Sequence, residues 1–251
     1  MVRVILSGCN GRMGQVISDL VSEDADMAIV AGIDLIAEEK NGYPVFSSFT
    51  ECEVPADVVI DFSSPKAFEG MMDYCTQKKV PAVVCTTGLE EAQLKRLNEA
   101  SGEVAVLRSA NMSLGINLLQ KLLREAARTL APAGFDIEIV EQHHNRKKDA
   151  PSGTAIALAD SINEAMDGRY QYRYDRSGVY EQRRPDEIGI SAVRGGTITG
   201  IHDVIFAGTD EVIELKHTAY SRAIFAKGAV AAARFLAGKA PGYYQMSDVI
   251  G

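Results

Sequence analysis

The sequence predicts an α/β fold in which a doubly wound parallel sheet is joined to a second, α+β domain with a mixed, largely antiparallel sheet. Three observations carry this prediction. Short apolar runs alternate with helical patterns over residues 1–113, as in successive βαβ units. After a long helical pattern that begins at residue 114, most of the second half consists of strand-like runs separated by glycine-containing turns. A last helical pattern follows those runs after residue 222 and could return to the first domain.

Composition narrows the function classes before any motif is considered. The chain has 251 residues, of which 46% are hydrophobic and 24% charged, and its formal net charge is −8. The acidic balance argues against a nucleic-acid partner. No charged leader and no long apolar run is visible, so we expect no membrane span and a cytoplasmic protein. The four cysteines show no C-x-x-C spacing, which favours free thiols over disulfides or a zinc site.

A glycine-rich turn follows the first predicted strand. Val2–Leu6 is apolar, Gly8, Gly11 and Gly14 follow at three-residue spacing, and a helical pattern comes directly after them. Strand, glycine turn and helix in succession indicate a Rossmann-like dinucleotide site. Gly8 would permit the tight turn, Gly11 the approach of a pyrophosphate, and Gly14 the packing of helix on strand. The alternative is a purely structural βαβ turn.

Asp34 is the candidate residue for the adenosine ribose. It ends the next apolar run, 20 positions after Gly14, where a carboxylate can accept hydrogen bonds from both ribose hydroxyls. A carboxylate there repels a 2′-phosphate, so NADH should bind at least as well as NADPH. Lys40 follows in a nearby loop and could reach such a phosphate. Use of both NADH and NADPH therefore stays open.

Further cofactor loops are expected where the later parallel strands end. Ligands of such sheets lie beyond the carboxyl ends of the strands. Three polar segments occupy those positions, at Asp61–Pro65, Cys85–Gly88 and Ser109–Ser113. Asn111 could bond a nicotinamide amide, although polar loop residues often bond only their own backbone.

The second half begins with a predicted helix over Leu114–Leu130, which has one continuous apolar face. Alternation over Phe135–Val140 predicts a half-buried strand that ends at Glu141 and two histidines. Three strand-like runs (Ile188–Arg194, Gly200–Ala207 and Glu211–Thr218) follow and suggest an antiparallel meander. Residues 168–187 lack periodicity, so we interpret them as a long loop. A helical pattern over Ser221–Leu236 could pack back on the first domain, and a tail that contains Pro241–Tyr244 follows it.

Glu141–Ala155 carries the densest chemistry in the chain. His143 and His144 stand beside Arg146, Lys147 and Lys148, and Pro151–Thr154 opens a helical pattern. A helix N-terminus presents unpaired N–H groups to an anion, and Ser152 is a candidate N-cap. The segment thus fits a small dianionic substrate and a group that moves a proton. A solvated basic loop is the plain alternative. A metal site is disfavoured because adjacent histidines on a strand diverge.

Taken together, these motifs resemble one family. The segments are Gly8–Gly14, Asp61–Ser63, Thr86–Gly88, Glu141–His144, Lys147, and the run Asp149–Ala155, which reads DAPSGTA. In this order they are similar to 4-hydroxy-tetrahydrodipicolinate reductase, the dihydrodipicolinate reductase family of lysine biosynthesis. The resemblance covers essentially the whole chain. The HH-x-x-K-x-DAPSGT segment is very specific, whereas the glycine pattern alone would fit many unrelated enzymes.

The resemblance implies a domain division and a set of roles. Residues 1–113 and 222–251 would form a discontinuous dinucleotide-binding domain, and residues 114–221 a substrate-binding and oligomerisation domain of a homotetramer. His143 would be proton donor and acceptor, Lys147 a proton donor, and His144, Gly153 and Thr154 would bind a dicarboxylate substrate. The implied cofactor contacts are Gly8, Cys9, Asn10, Gly11, Arg12, Met13, Asp34, Cys85, Thr86, Thr87, Ser109, Ala110, Asn111 and Met112.

The chain departs from the family pattern at three positions. Cys85 stands where glycine is common and Met112 where phenylalanine is common, and both loops are expected to act through their backbone. Leu35 stands where some members carry a basic residue, which favours NADH. Two rival functions are a dehydrogenase of related fold acting on another small acid and a non-catalytic dinucleotide sensor. The sensor would be expected to lack the paired histidines and the lysine.

Overall fold

The computed structural model describes all residues from 1 to 251 and contains twelve strands and seven α-helices. The strands are β1 (Val2–Ser7), β2 (Met27–Ile33), β3 (Val45–Phe46), β4 (Val58–Asp61), β5 (Ala82–Val84), β6 (Ala105–Leu107), β7 (Asp136–His143), β8 (Gln171–Arg173), β9 (Glu187–Arg194), β10 (Gly200–Ala207), β11 (Val212–Ala219) and β12 (Gly242–Tyr244). The helices are α1 (Arg12–Ser22), α2 (Phe68–Lys78), α3 (Glu91–Ala100), α4 (Leu114–Leu130), α5 (Gly153–Ala165), α6 (Ala223–Leu236) and α7 (Met246–Ile250).

The chain divides into two compact units. One unit contains Met1–Leu114 together with Ala223–Gly251, and the other contains Gly115–Arg222. None of the helices is both long enough and apolar enough to cross a membrane.

The first unit is built on a seven-stranded sheet with the order β12-β6-β5-β4-β1-β2-β3. Every pairing in it is parallel. The chain moves outward from β1 through β2 to β3, and it then returns to the other side of β1 with β4. The sheet is therefore the expected doubly wound, Rossmann-like one, and its strand order reverses between β1 and β4.

Two apolar layers cover this sheet. Helices α1 and α6 contribute to one buried cluster, and α2 and α3 contribute to the other. The buried face of α6 consists mainly of alanine, with Gly228 among them. A Cβ atom at Gly228 would lie 1.7 Å from the carbonyl oxygen of Met112. Only glycine lets the helix approach the loop after β6 so closely.

The strand β12, in the tail after α6, is not predicted by the sequence pattern. It adds to the sheet edge in parallel with β6, and Tyr244 pairs with Leu107. Three residues are too short to show a strand periodicity in the sequence.

The second unit contains a five-stranded sheet with the order β11-β10-β7-β9-β8. β10 is antiparallel to both β7 and β11, whereas β9 is parallel to both β7 and β8. The sheet is mixed, as expected, but its pairings are evenly divided between the two types rather than largely antiparallel. The predicted meander is wrong, because β7 lies between β9 and β10 and only β10 and β11 form a hairpin.

Residues 168–187 are not simply a loop. They contain β8, whose Arg173 lies 3.6 Å from Glu187, and two further arginines of the segment also bind carboxylates of the sheet. Arg183 contacts Asp136 at 2.6 Å and Glu138 at 3.0 Å, while Arg176 contacts Glu138 at 2.7 Å and Glu187 at 2.9 Å. Ion pairs of this kind leave no apolar periodicity in a sequence, so the pattern could not predict them.

The helices α4 and α5 pack on one face of this second sheet. Ile137 and Ile139 of β7 point into that apolar layer. Because side chains alternate along a strand, Glu141 and His143 continue the same row. The row therefore begins in an apolar core and ends in two polar side chains, of which Glu141 is fully buried and His143 is 9% exposed.

Candidate active site

The candidate cofactor residues of the first unit lie along one edge of its sheet. The glycine turn follows β1, Asp34 follows β2, Cys85–Thr87 follow β5, and Ser109–Met112 follow β6. All these strands are parallel, so their carboxyl ends share one edge. This edge includes the position between β1 and β4 at which the strand order reverses, where such sheets bind ligands.

Steric limits at the glycine turn explain its spacing. Gly8 has φ of +79°, and a Cβ there would lie 2.5 Å from the carbonyl oxygen of Phe62. A Cβ at Gly14 would lie 2.2 Å from the carbonyl oxygen of Gly8. Gly11 is the N-cap of α1 and supplies no side-chain cap, so the first-turn amides face outward without a side-chain acceptor there. This cradle fits the pyrophosphate of a dinucleotide.

Cys9, Arg12 and Met13 lie beside the glycines of the turn. Cys9 is fully buried, and burial raises the pKa of its thiol to about 11. It is therefore a protonated packing group at neutral pH. Arg12 and Met13 form the first turn of α1.

Asp34 lies next to the glycine turn. Its Oδ2 accepts a hydrogen bond from the backbone N–H of Asn10 at 3.0 Å. The Asn10 side chain in turn donates to the carbonyl groups of Ile36 and Glu38. Lys40, the candidate contact for a 2′-phosphate, lies 3.2 Å from Glu38. The ribose candidate and the pyrophosphate cradle are thus connected.

The loops after β5 and β6 complete this edge. Thr86 is buried, whereas Cys85 is partly buried and contributes to the apolar layer beside α6. Burial raises the pKa of the Cys85 thiol. Asn111 accepts the backbone N–H of Ser113 at 2.9 Å, which is the local backbone bond that competes with ligand binding in such residues. Met112 is buried, so its loop presents backbone rather than this side chain.

In the second unit, a buried carboxylate organises the candidate acid–base site. Glu141 Oε2 lies 2.6 Å from His143 Nδ1. Glu141 Oε1 accepts the backbone N–H of Ser152 at 2.9 Å. Arg194, on the neighbouring strand β9, donates to Oε1 at 2.6 Å and to Oε2 at 2.8 Å. A fully buried charge is stable only when it is paired and hydrogen-bonded in this way.

These contacts set the charge of both groups. Burial opposes ionisation of Glu141, but the hydrogen bonds from Arg194, His143 and Ser152 together lower its pKa below the usual value. Burial is also the largest effect on His143 and lowers its pKa, against the opposing pull of Glu141. His143 is therefore a neutral imidazole near pH 7. With Glu141 as acceptor, its Nδ1 carries the proton and its Nε2 is left to exchange one.

A second histidine lies beside the first. The rings of His143 and His202 are 5.2 Å apart and meet edge to face. His202 Nε2 lies 3.0 Å from Ser152 Oγ, and burial lowers the pKa of His202 to about 4. The Ser152 hydroxyl also accepts the backbone N–H of Ala155, so it joins His202 to the start of α5. The neutral His202 ring thus holds the serine in this position.

Ser152 is the N-cap of α5, as expected. Its Oγ accepts the backbone N–H of Ala155 at 3.2 Å. Gly153 and Thr154 form the first turn of the helix. A Cβ at Gly153 would meet no atom within 4 Å, so the backbone there is open to a ligand. The helix N-terminus is therefore suited to a carboxylate.

Lys147 and His144 lie on the loop between β7 and α5. The backbone N–H of Lys147 donates to the carbonyl of His144 at 3.1 Å. Lys147 Nζ lies 2.9 Å from Asp149 Oδ2, and its side chain is 21% exposed. This hydrogen bond lowers the pKa of the Asp149 carboxyl. The turn thereby places a fixed cation close to the end of β7 and the start of α5.

Sequence reasoning missed two residues of this arrangement. Arg194 and His202 are 51 and 59 positions beyond His143 in the numbering, and only the pairings of β7 with β9 and β10 bring them to Glu141. A signal was present, because a buried glutamate beside a histidine requires a partner. No group of three or more histidine, cysteine, aspartate or glutamate side chains is placed to hold a metal ion.

Comparison with known families places these features in context. The family model described as "Dihydrodipicolinate reductase, N-terminus" matches residues 2–112, and the one described as "Dihydrodipicolinate reductase, C-terminus" matches residues 115–250. The 4-hydroxy-tetrahydrodipicolinate reductase of Caldanaerobacter subterraneus subsp. tengcongensis is 52% identical, and the alignment covers 100% of this chain and 98% of that one. The enzyme of the same name from Clostridium novyi is 48% identical, with the same coverage.

Solved structures agree with the sequence matches. A dipicolinate-bound dihydrodipicolinate reductase from Paenisporosarcina sp. TG-14 superposes with a TM-score of 0.82 at 26% identity, over 98% of this chain and 97% of that one. A probable dehydrogenase from Thermotoga maritima superposes with a TM-score of 0.63 at 13% identity, over 99% of this chain and 92% of the other. The second likeness shows the fold alone.

Proposed function

Because the chain belongs to the dihydrodipicolinate reductase family, we propose that it reduces 4-hydroxy-tetrahydrodipicolinate to tetrahydrodipicolinate in the diaminopimelate route to lysine. The balanced reaction consumes NADH or NADPH and one proton, and it releases the oxidised cofactor and water. The observation that supports this activity best is the grouping at the end of β7. An oriented imidazole, a lysine and an open helix N-terminus converge there.

The family uses a pyridine nucleotide, and the first unit fits one. We infer that the glycine turn and the amides of Arg12 and Met13 hold the pyrophosphate and that Asp34 holds the adenosine ribose. Cys85–Thr87 and Ser109–Met112 would hold the nicotinamide side through their backbone. When bound, the cofactor supplies a hydride.

The second unit supplies the groups for the substrate. We infer that Lys147, His144 and the amides of Gly153 and Thr154 bind the carboxylates, because cations and helix N-termini are the natural partners of such anions. The dipicolinate bound to the Paenisporosarcina relative is a dicarboxylate of this kind. The negative net charge makes local cations necessary at such a site.

Proton transfer is assigned to His143 and Lys147. Hydride addition to a conjugated imine leaves electron density on the substrate, and a neighbouring acid must protonate it. Lys147 can donate a proton from Nζ, and His143 can accept or return one at Nε2. Gly200 leaves room beside that atom, since a Cβ there would lie 3.2 Å from Nε2.

The preference between the two cofactors follows from the ribose site. We infer that NADH is favoured or that both are used, because Asp34 repels a 2′-phosphate and Leu35 beside it is 92% exposed and carries no charge. Asp34→Asn should raise the ratio of kcat/KM with NADPH to that with NADH. If Lys40 reaches the 2′-phosphate, Lys40→Ala should lower only the NADPH value.

We further propose a homotetramer in the reducing cytoplasm. The face of the five-stranded sheet opposite α4 and α5 leaves Val193 and Val212 45% and 57% exposed, which suits an interface between copies. All four cysteines are free thiols, as is usual in a reducing compartment. Light scattering should give four times the 27.1 kDa chain mass, and a monomer would contradict the assembly.

The activity can be tested with the purified protein. NADH and NADPH oxidation would be followed with and without 4-hydroxy-tetrahydrodipicolinate freshly formed from pyruvate and aspartate semialdehyde. Oxidation that depends on the substrate is expected. If the protein binds NADH but oxidises neither cofactor with this substrate, a related dehydrogenase or a dinucleotide sensor becomes the better assignment.

A further inference from the structure

Arg194 is the one cation that binds the buried carboxylate of the site directly. It lies at the end of β9, and its side chain is 20% exposed. Beyond its two bonds to Glu141, it donates to the carbonyl groups of Val193 at 2.8 Å and Asp149 at 2.6 Å. A planar guanidinium suits such a forked arrangement better than any other side chain.

The charge of Glu141 is offset by Arg194 rather than by His143. Arg194 binds both carboxylate oxygens at 2.6 and 2.8 Å, which is the bidentate geometry of strong ion pairs. His143 approaches only Oε2, at 2.6 Å. Because Arg194 already balances the charge of Glu141, this carboxylate can accept a hydrogen bond from His143 while the imidazole stays neutral.

We propose that Arg194 is a positioning residue for the reaction, which through Glu141 holds His143 as a neutral imidazole with Nδ1 protonated and Nε2 facing Gly200. The role of Nε2 in turnover rests on the proposed function. The orientation and protonation of the ring do not. They follow from the contacts of Glu141 in the protein itself.

The same arginine also connects the reacting segments. Its Nη2 donates to the carbonyl of Asp149, the residue whose carboxylate holds Lys147. Glu141 meanwhile accepts the N–H of Ser152, the N-cap of α5. The Arg194–Glu141 pair therefore holds the loop between β7 and α5 at two points, the carbonyl of Asp149 and the N–H of Ser152. Lys147 lies on the same loop.

Four charged or titratable groups face His143. Glu141 lies on β7, Arg194 on β9, His202 on β10 and Lys147 on the loop before α5. Glu141 favours the protonated ring, whereas Lys147 and Arg194 disfavour it. Removal of the arginine charge should therefore make His143 easier to protonate, and removal of the glutamate charge should make it harder.

The test is a pH titration of the histidine ring signals by NMR in the full-length protein. The chain has only four histidines, so the signals can be assigned by substitution. In Arg194→Gln, the midpoint of His143 should rise by about one pH unit, the size typical of a neighbouring charge. In Arg194→Lys, which keeps the charge, it should stay close to that of the unaltered protein.

Glu141→Gln provides the opposite sign and serves if Arg194→Gln does not fold. Its His143 midpoint should fall below that of the unaltered protein. An unchanged midpoint in Arg194→Gln, or an equal shift in Arg194→Lys, would overturn the proposal, as would a rise in Glu141→Gln. These titrations need no substrate or cofactor, so they separate this proposal from the proposed function.

Where the protein is active, the pH profile of kcat gives a second measurement. The limb that reports His143 should move to higher pH in Arg194→Gln and return in Arg194→Lys. A uniform loss of kcat at every pH, with no movement of this limb, would indicate a purely structural role and contradict the proposal.

Discussion

The candidate site of the first unit consists mainly of backbone groups, and that of the second unit consists mainly of side chains. The sheet edge of the first unit presents backbone, and its constraints fall on glycines such as Gly8 and Gly14. The end of β7 in the second unit presents side chains, with Glu141 fully buried beneath His143. Backbone can bind a ligand but has no proton to exchange near neutral pH. Side chains with shifted pKa values can both bind a ligand and exchange a proton, but a charge must be buried to produce such shifts.

The largest effect is expected at the side-chain site. His143→Gln removes the group that exchanges a proton, so kcat should fall by about two orders of magnitude. The dissociation constant for NADH should stay nearly unchanged. His217→Gln is a matched control on β11, outside the contacts of Glu141, and its turnover should be retained. Full turnover in His143→Gln would remove this residue from the mechanism.

Lys147 provides a second variant on the same loop. If this lysine both binds a carboxylate and donates a proton, Lys147→Ala should lower kcat and raise the substrate KM together. Steady-state kinetics at saturating NADH would measure both constants. A change confined to the dissociation constant of NADH would contradict this assignment.

Buried neutral histidines should also make the protein sensitive to acid. The pKa of His202 is about 4 when folded and 6.5 when exposed, so unfolding takes up a proton below pH 6.5. The stability from the neutral ring is present above pH 6.5 and is lost as the pH falls toward 4. The loss from this residue should be about 2 kcal/mol between pH 7 and pH 5.

Urea unfolding at several pH values would measure this loss. His202→Gln should reduce the loss of stability between pH 7 and pH 5 by about 2 kcal/mol, whatever its effect on stability at pH 7. An unchanged slope in this variant would contradict the assignment of a low pKa to His202.

The backbone site should be sensitive to a single methyl group. Gly14→Ala would bring a Cβ within 2.2 Å of a carbonyl oxygen, which must distort the turn, so NADH binding should weaken by about tenfold or more. Gly70→Ala is the matched control, because Gly70 lies in α2 with no atom near its Cβ position. Fluorescence titration with NADH would compare them, and equal affinities would show that the turn is not the cofactor cradle.

The smallest effects are expected from two side chains in the candidate cofactor loops. Cys85→Gly and Met112→Phe change side chains in loops that are expected to act through their backbone. Each should change kcat/KM with NADH by less than about twofold. A larger change would show that these side chains contact the cofactor.

The same contrast explains what the sequence could predict. The glycine turn, Asp34 and the cap at Ser152 are local features, and local periodicity placed them on the right elements. Arg194 and His202 reach Glu141 only through sheet pairing. The turn at Gly195–Thr197 resembles a hairpin turn, so the sequence pattern predicts that β9 and β10 are neighbours. Nothing local indicates that β7 inserts between them.

The most direct test of these separate roles, proton transfer in the second unit and cofactor binding in the first, is to measure both properties in both His143→Gln and Gly14→Ala. NADH dissociation constants and substrate-dependent turnover would be determined for both variants under the same conditions. We predict that His143→Gln keeps its NADH affinity and loses turnover, whereas Gly14→Ala loses NADH affinity. If His143→Gln loses NADH affinity and keeps its turnover at saturating NADH, the two sites do not have the separate roles assigned to them.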